Sequence, residues 1–302
     1  MKADQIIKNA KIYTSDKDRP MASALAVKDG KFVYVGDEAG LSAYEGPTTD
    51  LGGKFIMPGI IDSHVHVTMP VGFEYADLGK QIQCQGKQEL LKIMSEYIAE
   101  HPGEKRYKFL FDRRFLHGEE ITKEDLDVIC PDAELQIQEA ECHSLWVNSK
   151  LLERHGITDD TPDPVPGLSY YVRKDGHVTG NIFEGSAEVP IMLDSAMDLT
   201  DEQIDAALQR WIDFSVDVGV CCVFDSGIPG YPQFHERVYQ RLRALDLEGN
   251  LPVYIDGCYV IAAHWEAEEG LRELKRFRQE YNTEHLKIHT MKIFMDGTQT
   301  LH

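Results

Sequence analysis

The sequence predicts an α/β protein in which a short β-rich segment precedes alternating strands and helices. Residues 1–57 contain short β-rich runs, and Asp29-Gly30 between two of them predicts a hairpin, because this pair tolerates the positive φ of a type I′ turn. After Pro58-Gly59, strand-like runs alternate with longer helical ones, which favours parallel βαβ units. A chain of 302 residues suits one barrel-sized domain or two smaller ones.

Six apolar runs after this point are typical of strands: residues 60–67, 107–112, 134–139, 220–225, 251–256 and 286–297. Four runs between them carry apolar residues at helical spacing: residues 87–101, 199–219, 234–250 and 265–281. Thr200 stands three residues before Gln203, which is the pattern of a capping box. We expect residues 58–302 to belong to one domain, with an insertion near 160–186 that contains a proline-rich loop and a second Asp-Gly hairpin.

Charge and composition argue against several classes of partner. The formal net charge of −20 argues against binding to nucleic acid or to an anionic membrane. The six cysteines show no CxxC spacing, so we interpret them as free thiols of a reducing compartment. No segment approaches the about 18 apolar residues of a membrane span, and the N-terminus lacks the apolar region of a signal peptide. The sequence therefore predicts a cytoplasmic protein.

The stretch FIMPGIIDSHVHV, residues 55–67, carries Asp62, His64 and His66 at alternate positions of an apolar run. Side chains two residues apart on a strand share one face, so we expect both imidazoles to point the same way. At the C-terminal mouth of a barrel, such a pair suits a divalent metal such as zinc. The pair alone is weak evidence, because 12 histidines in 302 residues produce one HxH by chance in about half of such chains. Solvated or core histidines remain the alternative.

The stretch GGKFIMPGIIDSHVHV after a β-hairpin resembles the start of the amidohydrolase superfamily. Four further stretches occur in a matching order: ECHSLWVNSKLL (141–152), DGHVTGNIFEG (175–185), DVGVCCVFDSG (217–227) and MKIFMDGT (291–298). Together they resemble the YtcJ-like amidohydrolases, which include N-substituted formamide deformylases. The resemblance implies a TIM-like (β/α)8 metal-dependent hydrolase barrel, with residues 1–57 as the N-terminal portion of a small β-sandwich domain.

The resemblance also implies roles for four residues. His64 and His66 match metal ligands, and Lys292 matches a lysine that can carry CO₂ as a carbamate and bridge two metal ions. From the residues alone, a buried lysine is costly unless its charge is removed or paired, so an ion pair with a carboxylate such as Asp296 is the alternative. His143 matches a family histidine near the substrate and is the candidate catalytic residue. Its alternative is a strand-end histidine that caps the following helix.

Four other polar residues carry weaker signals. Glu184 and Asp225 fall in the matching stretches, but Asp225 has the alternative of a charge at a helix N-terminus. His285 and His289 share one strand face, and we expect them at the surface or behind the metal ligands. The chain has no GxSxG, HExxH, Walker or GxGxxG motif, which argues against the corresponding hydrolase and nucleotide-binding classes.

The implied function is a metal-dependent hydrolase that cleaves a C–N bond, other than a peptide bond, in a small-molecule amide. One or two divalent ions, zinc above all, would activate the attacking water. The alternatives are deamination of a ring C=N and a non-catalytic barrel protein. A homodimer is left open as the assembly.

The family pattern is incomplete within this sequence. Two further histidine ligands and a general-base aspartate would lie beyond His302. The six strand candidates are fewer than the eight strands of a closed barrel. Since the family lysine lies on the fourth strand, two of the six are expected to belong to insertions. We therefore expect residues 58–302 to be the first part of the barrel. The isolated chain is expected to be inactive on amides and to associate through its open edge.

Overall fold

The computed structural model describes residues 1–75, 79–194 and 198–295. The chain divides into two compact units, Met1–Ile60 and Ile61–His302. The strands of the first unit are β1 (Gln5–Lys8), β2 (Lys11–Tyr13), β3 (Met21–Ala22), β4 (Ala24–Lys28), β5 (Lys31–Gly36), β6 (Thr48–Asp50) and β7 (Phe55–Ile56). They form a four-stranded sheet in the order β5-β4-β1-β6 and a three-stranded sheet in the order β3-β2-β7. The predicted hairpin between β4 and β5 is confirmed, with positive φ at Asp29 (50°) and Gly30 (69°).

The second unit contains the alternating elements. Its strands are β8 (Ile60–Val65), β9 (Lys80–Gln81), β10 (Arg106–Phe111), β11 (Glu134–Glu139), β12 (Ser144–Val147), β13 (Tyr170–Lys174), β14 (His177–Phe183), β15 (Val220–Asp225), β16 (Tyr254–Ile261) and β17 (Leu286–Ile293). Its helices are α1 (Thr68–Tyr75), α2 (Gly86–Glu100), α3 (Lys123–Ile129), α4 (Ser149–Arg154), α5 (Gly185–Met192), α6 (Asp201–Asp217), α7 (Pro232–Leu247) and α8 (Ala267–Tyr281). No helix among the described residues is long and apolar enough to span a bilayer.

All six predicted strands and all four predicted helices are present, but some ends differ. The strand predicted at 251–256 runs from Tyr254 to Ile261 instead. Pro252 has no N–H to donate to a sheet, which explains why the strand begins after it. β8 ends at Val65, so His66 follows the strand instead of lying in it. Residues 296 and 297 of the last predicted strand lie outside the described residues.

The ten strands of the second unit form two sheets. One is four-stranded in the order β17-β16-β15-β8, and the other is six-stranded in the order β13-β14-β12-β11-β10-β9. In chain order, β17, which carries Lys292, is the fourth strand of the four-stranded sheet. Two of the six predicted strands, β10 and β11, lie in the six-stranded sheet instead. The short loop between β11 and β12 permits only antiparallel pairing, and this pairing interrupts the parallel arrangement. The described strands close no barrel.

Helices α6, α7 and α8 cover one face of the four-stranded sheet. The buried core between them includes Val223 of β15, Ile255 of β16 and Ile288 of β17. The predicted capping box starts α6, because Thr200 Oγ1 accepts from Gln203 N at 3.3 Å and Gln203 Oε1 accepts from Thr200 N at 2.8 Å.

An irregular pairing in β17 decides which way Lys292 points. Ile288 and Met291 both pack against the helix-side core although they are three residues apart. Consecutive residues of β16 pair with Ile288 and Thr290, which leaves His289 as an extra residue. Such a β-bulge reverses the alternation of side chains. Lys292 consequently lies on the face away from the helices.

A partly buried ion network joins β10 to Asp194, two residues after the end of α5. Arg106 donates through Nε to Glu134 Oε2 at 2.7 Å and through Nη1 to Asp194 Oδ1 at 3.0 Å. Although burial opposes ionisation, the hydrogen bonds from His155 and Arg106 hold the pKa of Asp194 well below its usual value. This lowered pKa stabilises the fold above the unfolded-state pKa of the carboxyl, and the stabilisation is lost as the pH falls toward the folded-state pKa.

We expect Arg106→Ala to lower the free energy of unfolding by about 1–3 kcal/mol, because Glu134 and Asp194 lose their shortest charged hydrogen bonds and keep the longer contacts with Arg154 and His155. The destabilisation should be largest near neutral pH and should shrink on acidification. Urea unfolding of both proteins across the acidic range measures this. Arg272→Ala is the matched control, because its pair with Glu268 is exposed, and we expect it to cost less than about 1 kcal/mol. Equal unfolding midpoints for the two variants would contradict the prediction.

Candidate metal centre

His64 and His66 lie together where β8 ends. Their ring centroids are 5.2 Å apart in an edge-on arrangement. His64 is exposed, and its backbone N–H donates to Asp62 Oδ1 at 3.0 Å, whereas His66 is half-buried. The two rings are therefore close enough to act on one ligand, as the alternation of the sequence suggested.

The environment of His66 determines which ring nitrogen is free. Its Nδ1 lies 2.5 Å from the carbonyl oxygen of Gly227, and a carbonyl only accepts, so Nδ1 carries the proton and Nε2 carries the lone pair. Burial holds the pKa of His66 below its usual value, helped by the charges of His64 and Lys292 and opposed by Gly227 and Asp225. A neutral imidazole with a free Nε2 is the form that binds a divalent metal. The residues present therefore fit a metal ion.

Lys292 lies near this pair, since its positive charge contributes to lowering the pKa of His66. Its Nζ lies 5.0 Å from the centre of the Phe294 ring. Asp296, the alternative ion-pair partner, lies outside the described residues. No three His, Cys, Asp or Glu side chains in the described part of the chain converge into a metal-binding cluster. The two imidazoles and Lys292 are thus the candidate donor set.

His143 lies between β11 and β12 and pairs with Glu184. Its Nδ1 is 3.1 Å from Glu184 Oε2, and its carbonyl accepts from the N–H of Glu184 at 3.0 Å. The alternative that His143 caps the next helix is wrong, because Asn148 Oδ1 accepts from Leu151 N at the start of α4. The hydrogen bond to Glu184 raises the pKa of His143 above its usual value, although burial opposes it.

Three buried carboxylates surround His143. Glu139 ends β11, Glu184 precedes α5, and Glu188 lies within α5. Burial raises the pKa of Glu188 to about 7, and Gln138 Nε2 donates to its Oε1 at 2.7 Å. Sequence reasoning singled out Glu184 but missed the other two. Glu188 had a detectable signal, because it is the single charged residue of the otherwise apolar helix GSAEVPIM.

We expect Glu184→Gln to lower the pKa of His143, because the amide removes the negative charge that stabilises the protonated imidazole. Titration of the imidazole by NMR measures this. The raised pKa stabilises the folded state below the unfolded-state pKa of histidine, and this contribution disappears as the pH rises through the folded-state value. Asp159→Asn is the control, because Asp159 pairs with the exposed His177 instead. An unchanged titration of His143 in Glu184→Gln would show that Glu184 does not set its charge.

The remaining polar candidates divide between the core and the surface. Asp225 is fully buried, and the interpretation of it as a helix N-terminal charge is wrong, because α7 begins seven residues later at Pro232. His285 Nδ1 lies 2.6 Å from Asp246 Oδ1, and the exposed His289 is the extra residue of β17. His285 and His289 thus make other contacts than the candidate metal centre.

The model of the amidohydrolase family matches residues 48–302. The chain belongs to the amidohydrolase family. The chain is also similar to three curated proteins. The exoenzymes regulatory protein AepA of Pectobacterium carotovorum subsp. carotovorum is 29% identical over 98% of this chain and 64% of its own length. The putative amidohydrolase YtcJ of Bacillus subtilis (strain 168) is 25% identical over 95% of this chain and 53% of its own.

The N-substituted formamide deformylase of Arthrobacter pascens is 27% identical over 62% of this amidohydrolase-family chain and 35% of its own length. These matches confirm the resemblance to the YtcJ-like branch. The chain spans between about a third and two thirds of the length of these relatives.

An uncharacterized metal-dependent hydrolase from Pyrococcus horikoshii OT3 has a similar structure, with a TM-score of 0.54 and 21% identity over 95% of this chain and 53% of that one. This likeness shows that the chain has the α/β fold of a metal-dependent hydrolase.

Proposed function

We propose that this amidohydrolase-family protein hydrolyses an amide-type C–N bond of a small molecule with a divalent metal. The observation that carries the proposal is His66, held neutral by burial, with Nδ1 engaged by Gly227 and Nε2 free beside His64. The name of the Arthrobacter relative, a formamide deformylase, supports an amide as the substrate class.

The proposed metal is zinc, bound by Nε2 of His66 and by His64, with Lys292 as a carbamate ligand. When bound, such an ion polarises the amide carbonyl and lowers the pKa of water toward about 7. Lys292 lies on the open face of β17 near His66, which supports its inclusion. From the family membership, we also propose that the chain contributes to a TIM-like (β/α)8 barrel and, before it in the sequence, to a small β-sandwich.

His143 is the proposed proton donor for the leaving nitrogen. Glu184 holds Nδ1, which leaves Nε2 to face a substrate, and the raised pKa keeps the ring protonated nearer neutral pH. Glu184 and Phe294 line one narrow cleft, and Phe294 also contacts Lys292. Phe294 therefore lies near both Glu184 and Lys292, which supports a role for the His143–Glu184 pair beside the proposed metal ligands.

A non-catalytic role is the second candidate, because the AepA relative is named as a regulatory protein. The hydrolase proposal predicts turnover of an amide, whereas the non-catalytic role predicts none. The intact protein, stripped by chelation and reloaded with zinc, should hydrolyse members of a panel of N-substituted formamides and simple amides. The panel should include ring imines, whose exclusive turnover would indicate a deaminase. Metal binding without any turnover would support the non-catalytic role. The cytoplasmic location stays a prediction, and the homodimer stays open as the assembly.

A further inference from the structure

Asp225, the last residue of β15, lies at the centre of a buried hydrogen-bond network. Its Oδ1 accepts from the backbone N–H groups of Val67 at 3.1 Å and Gly227 at 3.0 Å. Its Oδ2 accepts from Tyr239 Oη at 2.9 Å and lies 3.2 Å from His235 Nε2. A carboxylate with no solvent exposure and four such neighbours is held in a single orientation.

The two backbone contacts hold His66 from both sides. Val67 is the next residue in the chain, so its N–H fixes the peptide that follows His66. Gly227 supplies the carbonyl that accepts from His66 Nδ1 at 2.5 Å. Oδ1 of Asp225 therefore holds the backbone on both sides of the His66 ring, at Val67 and at Gly227. These two segments determine where the imidazole points and which of its nitrogens carries the proton.

Glycine fits at position 227 without strain, whereas a side chain there would force its neighbours to move. The φ of Gly227 is 55°, and a Cβ there would lie 2.3 Å from Val260 Cγ2 and 2.9 Å from His235 Cε1. The close approach lets the Gly227 carbonyl reach the His66 ring, and Asp225 stabilises the turn by accepting from the N–H of the same residue.

The other carboxylate oxygen anchors this arrangement to α7 and β16. Tyr239 Oη, besides donating to Asp225, accepts from Cys258 N at 2.9 Å, and both His235 and Tyr239 lie on α7. Although burial opposes ionisation, hydrogen bonds from His235, Gly227 and Tyr239 hold the pKa of Asp225 below its usual value. The network therefore ties the end of β8 to β15, β16 and α7.

We infer that Asp225 is a positioning residue that fixes the orientation and the Nδ1–H tautomer of His66, leaving Nε2 for a metal. The metal in this statement rests on the proposed function; the tautomer does not. Partners that orient a metal-binding histidine typically contribute 10–100-fold to metal affinity, so the loss of Asp225 should have an effect of about this size.

The test compares Asp225→Ala, Asp225→Asn and Asp246→Ala in the intact protein. ¹⁵N NMR of the metal-free protein reads the His66 tautomer, and competition titration reads zinc affinity. We expect Asp225→Ala to mix the two tautomers and to weaken zinc about 10–100-fold. Asn keeps an oxygen for both backbone N–H groups and turns its NH₂ toward Tyr239 and His235, so Asp225→Asn should keep the Nδ1–H tautomer and rescue most of the affinity. Asp246→Ala removes the carboxylate that contacts His285 and should change neither readout.

Each outcome decides the inference. An Nε2–H tautomer in the wild type, or a tautomer in Asp225→Ala that equals that of Asp246→Ala, overturns it. If Asp225→Ala does not fold, Asp225→Asn decides, because a shifted tautomer there would show that the accepting oxygen is not what orients His66. A wild type that binds no zinc, together with a tautomer shift in Asp225→Ala, would reject the proposed function and leave the positioning role standing.

Discussion

Asparagine in place of His66 is expected to remove most of the metal from the intact protein and to lower its hydrolytic kcat/KM by more than about 100-fold, the upper range for losing only an outer partner. The reason is geometric. Nδ1 of His66 already donates to Gly227, so Nε2 is the one nitrogen left for the metal, and a shorter asparagine cannot reach the same position. Elemental analysis after desalting measures the loss of metal. Steady-state kinetics on an amide that the wild type hydrolyses measures the loss of activity.

His64→Asn should behave similarly, because the two rings are 5.2 Å apart. His285→Asn is the control: its ring contacts Asp246 instead, so metal content should stay at the wild-type level. Unchanged metal in both His64→Asn and His66→Asn would reject the assignment of this pair as ligands.

Lys292→Ala is expected to lose hydrolytic activity by about 100-fold or more and to recover part of it when short carboxylic acids are added with zinc. The β-bulge at His289 directs Lys292 to the face away from the helices, where its charge acts on His66. A carbamate there is an anionic oxygen donor, and a small carboxylate can enter the space that alanine leaves. Rates measured against acetate and propionate concentration follow the rescue.

Lys292→Arg separates a ligand from an ion-pair partner. Guanidinium stays cationic and has no oxygen to donate to a metal, so this variant should remain as inactive as Lys292→Ala. Full activity in Lys292→Arg would mean that Lys292 acts only through its positive charge. If the acids raise the activity of the wild type by the same factor as that of Lys292→Ala, they do not act by filling the space left at position 292.

Local elements of this amidohydrolase-family chain were predictable because their causes are local. Asp29-Gly30 forms the expected turn because its positive φ is a property of two residues. Thr200 and Gln203 begin α6 because a capping box needs only one helical turn. The alternation of His64 and His66 likewise brought both rings to one place, although His66 follows the strand.

Sheet membership was less predictable. β10 and β11 have the apolar character of barrel strands, yet they lie in the six-stranded sheet. Their partners are chosen by chain connections, above all the short loop to β12, and apolar periodicity carries no information about that choice. The approach of Glu139 and Glu188 to His143 was not predictable either, because the tertiary fold brings these three residues together.

The longer strands and helices, their order and the pair of histidines follow from the amino-acid sequence, since each depends on residues a few positions apart. The free nitrogen of His66 depends instead on a long-range contact, because the carbonyl that selects it belongs to Gly227, 161 residues away. The same holds for Lys292, whose direction depends on one extra residue in the pairing of β17 with β16. Asp225 lies at the centre of a hydrogen-bond network, and not at a helix N-terminus, because the packing of α7 buries it and places His235 and Tyr239 against its carboxylate. Contacts made across the fold set the tautomer, direction and ionisation of these groups, and no local pattern encodes them.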